Sequence, residues 1–185
     1  MGEEKSQGVV ALVSTAGYYN YSDIVERCKE EKSAMCIITN IEDPRNLGAV
    51  IRSAAALDIA GIGLCKHNCP GVNPTVLRTS VGATEFMPVA TIGNVNNTIE
   101  KLKEEGFWIV GAAADGDRNI FDFQWDFPAA VIIGGENKGL PMLVKKNCDF
   151  LVKIPIKNVG SLNVSVAASI FFYEIKRALT NRNKQ

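Results

Sequence analysis

The sequence predicts an α/β fold, a mainly parallel sheet covered by helices on both faces. Two observations predict it. Short apolar runs alternate with stretches whose apolar residues recur at helical spacing, the pattern of strands joined by crossover helices. Three runs also lead into turn-forming segments: Asp43-Pro44-Arg45-Asn46-Leu47-Gly48 continuing to Arg52, Gly134-Gly135-Glu136-Asn137-Lys138-Gly139, and Ile154-Pro155-Ile156 followed by Ser161-Leu162-Asn163. Strand ends of this kind are where an open α/β sheet holds its ligand.

The elements follow in order. Residues 1–8 read as a polar tail, 9–13 as a short strand, and Gly17-Tyr18-Tyr19-Asn20 as a turn. Ser22-Asp23 is placed to cap a helix running to about Glu31. Residues 35–39 form an apolar strand, and Leu47, Val50, Ile51, Ala54 and Leu57 then make a helical stripe. Strands are expected at 61–64, 87–90, 108–112, 131–133 and 151–154, with helices at 73–78 and 95–105, the latter ended by Gly106. A long helix runs from Leu162 to about Leu179, with Val166, Ile170, Phe171 and Ile175 at helical spacing.

With 185 residues the chain fits one domain with a sizeable core. Apolar residues make up 46% and charged residues 22%, the balance of a soluble globular protein. No apolar run reaches the roughly 18 residues that a membrane span needs, and Met1-Gly2-Glu3-Glu4-Lys5 is too polar for a secretory signal. A formal net charge of zero argues against a dedicated electrostatic nucleic-acid binder. It leaves room for an enzyme that meets RNA through a local patch. Five scattered cysteines form no disulfide framework and suggest a reduced, cytoplasmic setting.

The common nucleotide motifs fail. Gly134 to Gly139 has the glycine spacing of a phosphate loop, but Leu140 stands where lysine is required. Gly61-Ile62-Gly63 lacks the third glycine of a dinucleotide fingerprint, which Lys66 replaces. Cys65-Lys66-His67-Asn68-Cys69 does not have zinc spacing and reads as a loop with incidental thiols, so no metal is expected. His67 is the only histidine and lies outside the three motifs, which disfavours a histidine-based triad.

The three motifs carry more. Asp43-Pro44 suits a helix cap and first turn. Arg45, Gly48 and Arg52 share a face by spacing. Glycine costs a helix about 1 kcal/mol relative to alanine, so Gly48 suggests a close approach there, with Arg52 beside an open spot suited to a phosphate. An amphipathic helix with exposed arginines fits equally. Gly134 and Gly135 bare backbone groups toward a ligand, or simply make a tight turn. Glu136 is placed to bond loop amides or orient the arginine. Ser161 is placed to cap the long helix, and Asn163 to face a ligand from its first turn.

The ordered set resembles the SpoU (TrmH-type) RNA ribose 2′-O-methyltransferases. The resemblance rests on Asp43-Pro44-x-Asn46-x-Gly48-Ala49 with Arg52-Ser53-Ala54, on Gly134-Gly135-Glu136-x-x-Gly139, and on Ile154-Pro155-Ile156 with Ser161-Leu162-Asn163-Val164-Ser165-Val166-Ala167. Thr79-Ser80-Val81-Gly82-Ala83 resembles a further loop of the family, and the likeness covers roughly residues 35–180. Residues 7–11 resemble the linker that follows a small N-terminal RNA-binding domain in the branch acting on a guanosine of 23S ribosomal RNA, and residues 1–185 are expected to match that branch without this domain. Residues 1–34 are thus expected to form a tail and linker-like segment packed on a catalytic domain of residues 35–185.

The resemblance implies a C-terminal trefoil knot of the SPOUT type, S-adenosyl-L-methionine as cofactor, a homodimer, and RNA as substrate, with ribosomal RNA ranked ahead of tRNA. It assigns catalysis to Arg52, Asn46, Glu136, Ser161 and Asn163, and cofactor contacts to Gly134, Gly135, Ile154, Ile156, Leu162 and Thr79. Arginine holds its proton too tightly to be a good literal base, so Arg52 is read as a phosphate anchor and alkoxide stabiliser. The segment between Ile154 and Ser161 is slightly shorter than the usual family spacing. A non-catalytic RNA-binding factor would not need all five polar residues. A Rossmann-type methyltransferase would need a glycine-rich first loop, which is missing.

Overall fold

The computed structural model describes residues 18–135 and 139–182. The expected tail, the strand at 9–13, and Gly17, Glu136, Asn137 and Lys138 lie outside them. Among the described residues seven strands form one sheet: β1 (Ala34–Ile38), β2 (Ile62–Cys65), β3 (Val89–Ile92), β4 (Trp108–Ala112), β5 (Arg118–Asn119), β6 (Ala129–Ile133) and β7 (Phe150–Lys153). Their order is β3-β2-β1-β6-β4-β7-β5, and each neighbouring pair is parallel. The register is continuous at the centre, where Ile37 faces Gly63 on β2 and Ile132 on β6.

Six helices among the described residues cover the sheet: α1 (Tyr21–Glu30), α2 (Pro44–Ala56), α3 (Pro74–Ser80), α4 (Val95–Glu104), α5 (Met142–Asn147) and α6 (Val164–Arg182). Strand residues alternate between two cores. Cys36, Ile38, Val131 and Ile133 pack with Leu47, Val50 and Ile51 of α2 and with Ala168, Phe171 and Phe172 of α6. Met35, Ile37, Ala130 and Ile132 pack on the other face with Ile24 and Cys28 of α1, Ile99 and Leu102 of α4, and Val144 of α5. β1 and β6 are buried throughout, as strands covered on both faces must be.

Several boundaries differ from the sequence expectation. The first helix starts at Tyr21 after Asn20, so Ser22 and Asp23 lie in its first turn instead of capping it. β3 begins at Val89 because Pro88 has no N–H for the ladder, although its carbonyl accepts from the Ile62 amide at 2.8 Å. β5, α5 and a 3-10 turn at Ala83–Glu85 were not foreseen, being 2, 6 and 3 residues long and too short for periodicity. The long helix begins at Val164, and Val166, expected on its core stripe, is 48% exposed. Val164, Ala168 and Phe172 take the core positions instead.

β4 and β5 are consecutive in the chain, yet β7 lies between them. The connection at 113–117 crosses one face of β7. A Cβ on Gly116 would stand 2.7 Å from the Leu151 carbonyl oxygen, so only glycine lets the two backbones pass so closely. All three motifs then emerge at the carboxyl edge of the adjacent strands β1, β6, β4 and β7.

Candidate active site

The loop after β6 is shaped by contacts that exclude side chains. A Cβ on Gly135 would lie 1.8 Å from the backbone oxygen of Asn40, at the end of β1. One on Gly134 would lie 2.3 Å from the carbonyl of Gly139. The Gly139 amide donates to the Gly135 oxygen at 2.9 Å, and Gly139 takes φ +58°, which closes the loop on itself. The two glycines therefore serve tight backbone packing as well as access to a ligand.

Beside this loop is a cleft of about 690 Å³ including its open mouth. Its walls include Gly134, Gly135, Ile154, Ile156, Ser161 and Leu162. The structure thus brings five of the six expected cofactor-contact residues together with Ser161, from segments far apart in sequence. Small residues (Ala112, Ala113, Ala114, Gly139 and Ala167) keep the cleft open, and none of the described wall residues carries a formal charge. Apolar walls with bare backbone donors and acceptors suit a flat heterocycle read by main-chain groups. An adenosine-type group such as that of S-adenosylmethionine fits this cradle.

Thr79 does not line the cleft. Its hydroxyl donates to the Thr75 oxygen at 2.8 Å and lies where a Cβ on Gly48 would be, 1.9 Å away. The close approach at Gly48 is real, but it is made by α3. The open spot for a phosphate expected there is filled.

The ribose-side residues meet at two helix starts. Asp43 caps α2 by accepting from the Arg45 amide at 2.8 Å, with Pro44 in the first turn. The Arg45 guanidinium turns back onto Asp43 at 3.1 Å and holds its carboxyl below the usual carboxylate range. Arg52, one turn beyond Gly48, is exposed and has no hydrogen-bond or ion-pair partner among the described residues. At α6 the capping residue is Asn163, not Ser161: its Oδ1 accepts from the Ser165 amide at 2.8 Å and the Ser165 hydroxyl at 2.6 Å. Ser161 is exposed on the cleft rim.

The Asn163 side-chain amide donates to Asn46 Oδ1 at 3.1 Å across 117 residues of chain. Ser169 adds a second tie by donating to Ser53 at 2.8 Å. Two helix N-termini therefore lie side by side, and the positive ends of their dipoles favour negative charge there, which the Asp43 carboxylate already supplies in part at α2. That arrangement can hold a phosphate or an alkoxide.

Sequence reasoning missed the run Ala112-Ala113-Ala114, which has no polar side chain to attract notice. Its signal was position, directly after an apolar strand in the centre of the sheet. It also missed Lys145, whose ammonium meets both Asp115 carboxylate oxygens at 2.7 and 2.8 Å and so ties α5 to the loop behind that run. Among the described residues no group of three His, Cys, Asp or Glu could hold a metal. Cys65 and Cys69 donate instead to the Gly93 and Ile38 carbonyls. Burial pushes the thiols of Cys28 and Cys148 up to about 12, which leaves them inert as nucleophiles at neutral pH.

Fold and site together define a class: an all-parallel α/β domain with a small-molecule cleft at the carboxyl edge of its central strands. The profile of the SpoU rRNA Methylase family matches residues 33–173. The chain belongs to that family. It is 40% identical over 174 residues to a protein of Bacillus subtilis and 39% identical over 174 residues to one of Staphylococcus haemolyticus. The names of both place them among TrmH family tRNA/rRNA methyltransferases, and each match covers 92% of this chain and 70% of the relative.

Among solved structures, the SpoU methyltransferase AviRb from Streptomyces viridochromogenes is similar at a TM-score of 0.78 and 26% identity, over 85% of this chain and 63% of AviRb. Its complex with the cofactor AdoMet gives 0.74 and 30%, over 82% and 60%. The chain thus spans less than two thirds of AviRb.

Proposed function

We propose that this domain transfers a methyl group from S-adenosylmethionine to a ribose 2′-hydroxyl of RNA, a guanosine of 23S ribosomal RNA being the preferred target. The observation that carries the reading is the single cleft walled by Gly134, Gly135, Ile154, Ile156 and Leu162, with Ser161 at its rim and Asn163 bonded to Asn46 beside it. When bound, the cofactor supplies a methyl on a positively charged sulfur. Gly134, Gly135, Ile154 and Ile156 would hold its adenosine through backbone groups, and Leu162 would cover it.

The chain's own residues supply the other half. The bond between Asn163 and Asn46 fixes both helix starts, and their amides favour the charge that grows on the ribose oxygen as its proton leaves. Arg52 anchors a neighbouring phosphate and stabilises the same charge, since its planar fork can pair with phosphate oxygens in a bidentate way. Proton loss is assisted by that phosphate. Glu136, in the motif after β6, orients Arg52 in this scheme.

A homodimer accompanies the reading. Val166 and Tyr173 are 48% and 60% exposed, and with Ile170 they line a groove between α2 and α6 that includes Ala49, Ser53, Ser165 and Ser169. A second copy would cover that groove. The crossing of 113–117 over β7 supports a knotted C-terminal segment.

Incubating the protein with methyl-labelled cofactor and total RNA, then mapping the labelled nucleoside, tests the proposal. A 2′-O-methylated ribose in large-subunit RNA is expected. Label confined to tRNA would favour a tRNA ribose methyltransferase, and label on a base would overturn the ribose assignment.

A further inference from the structure

The corner between α3 and β3 presents an apolar surface, Phe86 and Val81, that the chemistry above does not use. Phe86 is 81% exposed, more than any other large apolar side chain among the described residues, and Val81 is 68% exposed. Val81 also holds φ +52°, a left-handed conformation in which a β-branched side chain is strained. Such strain persists only where the surroundings enforce it, and it gathers at functional surfaces.

The surroundings do enforce it. The 3-10 turn at Ala83–Glu85 is anchored by buried Thr84, and Met87, 3% exposed, follows. The amides of Phe86 and Met87 both donate to the Ala83 carbonyl, at 3.1 and 2.9 Å. Phe86 is therefore held out on a fixed turn.

The charges beside it are unbalanced. Arg27, Arg45 and Arg177 are ion-paired, and Arg118 and Arg182 lie over aromatic rings. Arg52 and Arg78 alone among the described arginines have no partner. Arg78 lies on α3, which leads through Val81 into the Phe86 turn, and Arg52 lies on α2, which α3 crosses at Gly48 and Thr79. Glu85, exposed and next to Phe86, disfavours a phosphate at the aromatic end. An anion is favoured at Arg78 and Arg52, and a neutral flat group at Phe86 and Val81.

A nucleotide carries both groups, and unpaired bases stack on exposed aromatic side chains. We infer that this corner binds the single-stranded RNA flanking the target ribose, with Phe86 stacking one base and Arg78 holding a phosphate. The inference rests on the methyltransferase reading and adds a specificity-determining surface to it. Phe86 is a binding residue and takes no part in the methyl transfer.

The probe is a fluorescein-labelled single-stranded oligoadenylate, with an abasic strand of equal length as control. Phe86→Ala should weaken oligoadenylate binding about ten-fold and leave the abasic strand unaffected. Phe86→Trp should retain binding, and its added emission should be quenched by oligoadenylate but not by the abasic strand. Arg78→Gln should weaken both strands and reduce the salt slope by about 0.7.

Unchanged oligoadenylate binding by Phe86→Ala, no quenching in Phe86→Trp, or no binding by the parent chain at high micromolar concentration would each overturn the inference. So would dissociation of an oligomer by Phe86→Ala, which would assign the corner to a second copy. Calorimetry with S-adenosylmethionine on the same samples keeps the two readings apart. Cofactor binding with unaltered RNA affinity in Phe86→Ala sinks only the corner, whereas a parent chain that binds no cofactor sinks the methyltransferase reading.

Discussion

The side-chain amide of Asn163 donates to Asn46 at 3.1 Å while its oxygen caps α6, so one residue both starts a helix and joins the first and third motifs. The two roles separate by substitution. Asn163→Asp keeps the capping oxygen but loses the donor toward Asn46, and it should hold stability within about 0.5 kcal/mol while turnover falls about ten-fold or more. Asn163→Ala should lose turnover and also about 1 kcal/mol of stability. Urea unfolding beside a methyl-transfer assay checks both.

Arg52 is exposed and supports no described contact, so its removal should leave stability unchanged. Arg52→Lys keeps the charge but loses the planar fork, and kcat should drop about 100-fold with cofactor affinity intact. Nearly full turnover in Arg52→Lys would mean that charge alone suffices.

Alanine favours helices over glycine, yet Gly48→Ala should destabilise the protein by about 1–3 kcal/mol. The new Cβ would lie 1.9 Å from Thr79 Oγ1 and 2.9 Å from the Val76 carbonyl. Thr79→Ala should therefore rescue it only in part, because the backbone contact remains. Thermal unfolding of the single and double variants measures the coupling.

Gly135→Ala sets a Cβ 1.8 Å from the Asn40 backbone oxygen, which has no side-chain freedom with which to retreat. Cofactor affinity should fall at least about ten-fold because the cleft wall must move. Gly93→Ala, with open space around it, is the matched control and should bind normally. Calorimetry reads both.

The ion pair of Lys145 with Asp115 holds the carboxyl of Asp115 below its ordinary range, chiefly through the side-chain hydrogen bond. A depressed carboxylate stabilises the fold above its unfolded pKa and loses that contribution as pH falls through the folded one. The margin of the parent chain over Asp115→Asn should thus be flat from about pH 5 to pH 8 and fade progressively as pH falls below about 4. It should be small because Asp115 is exposed. Cofactor KM should rise in Asp115→Asn, because the loop behind Ala112–Ala114 loses its tie to α5.

Alternation of strands and helices was legible because β1, β4 and β6 are long and apolar enough to declare themselves. The cleft was legible through its glycines and prolines. Gly48 shows the limit of such reading: sequence revealed that something approaches, but only the packed chain shows that Thr79 does so. Ser161 and Asn163 are both good capping residues by composition, and backbone direction alone decides between them. The arrival of β7 between β4 and β5 left no local trace, since pairing partners far apart in sequence have no shared periodicity.

That placement of β7 governs when the domain becomes competent during synthesis. Among the described residues β5 has no partner but β7, and β7 is made more than thirty residues later. The cleft walls at Ile154, Ile156 and Leu162 emerge after β7 itself. A nascent chain released early would hold the first motif without the pocket beside it, and its β4 edge would stand bare. The pocket is therefore complete only once the third motif has been made and β7 has entered the sheet.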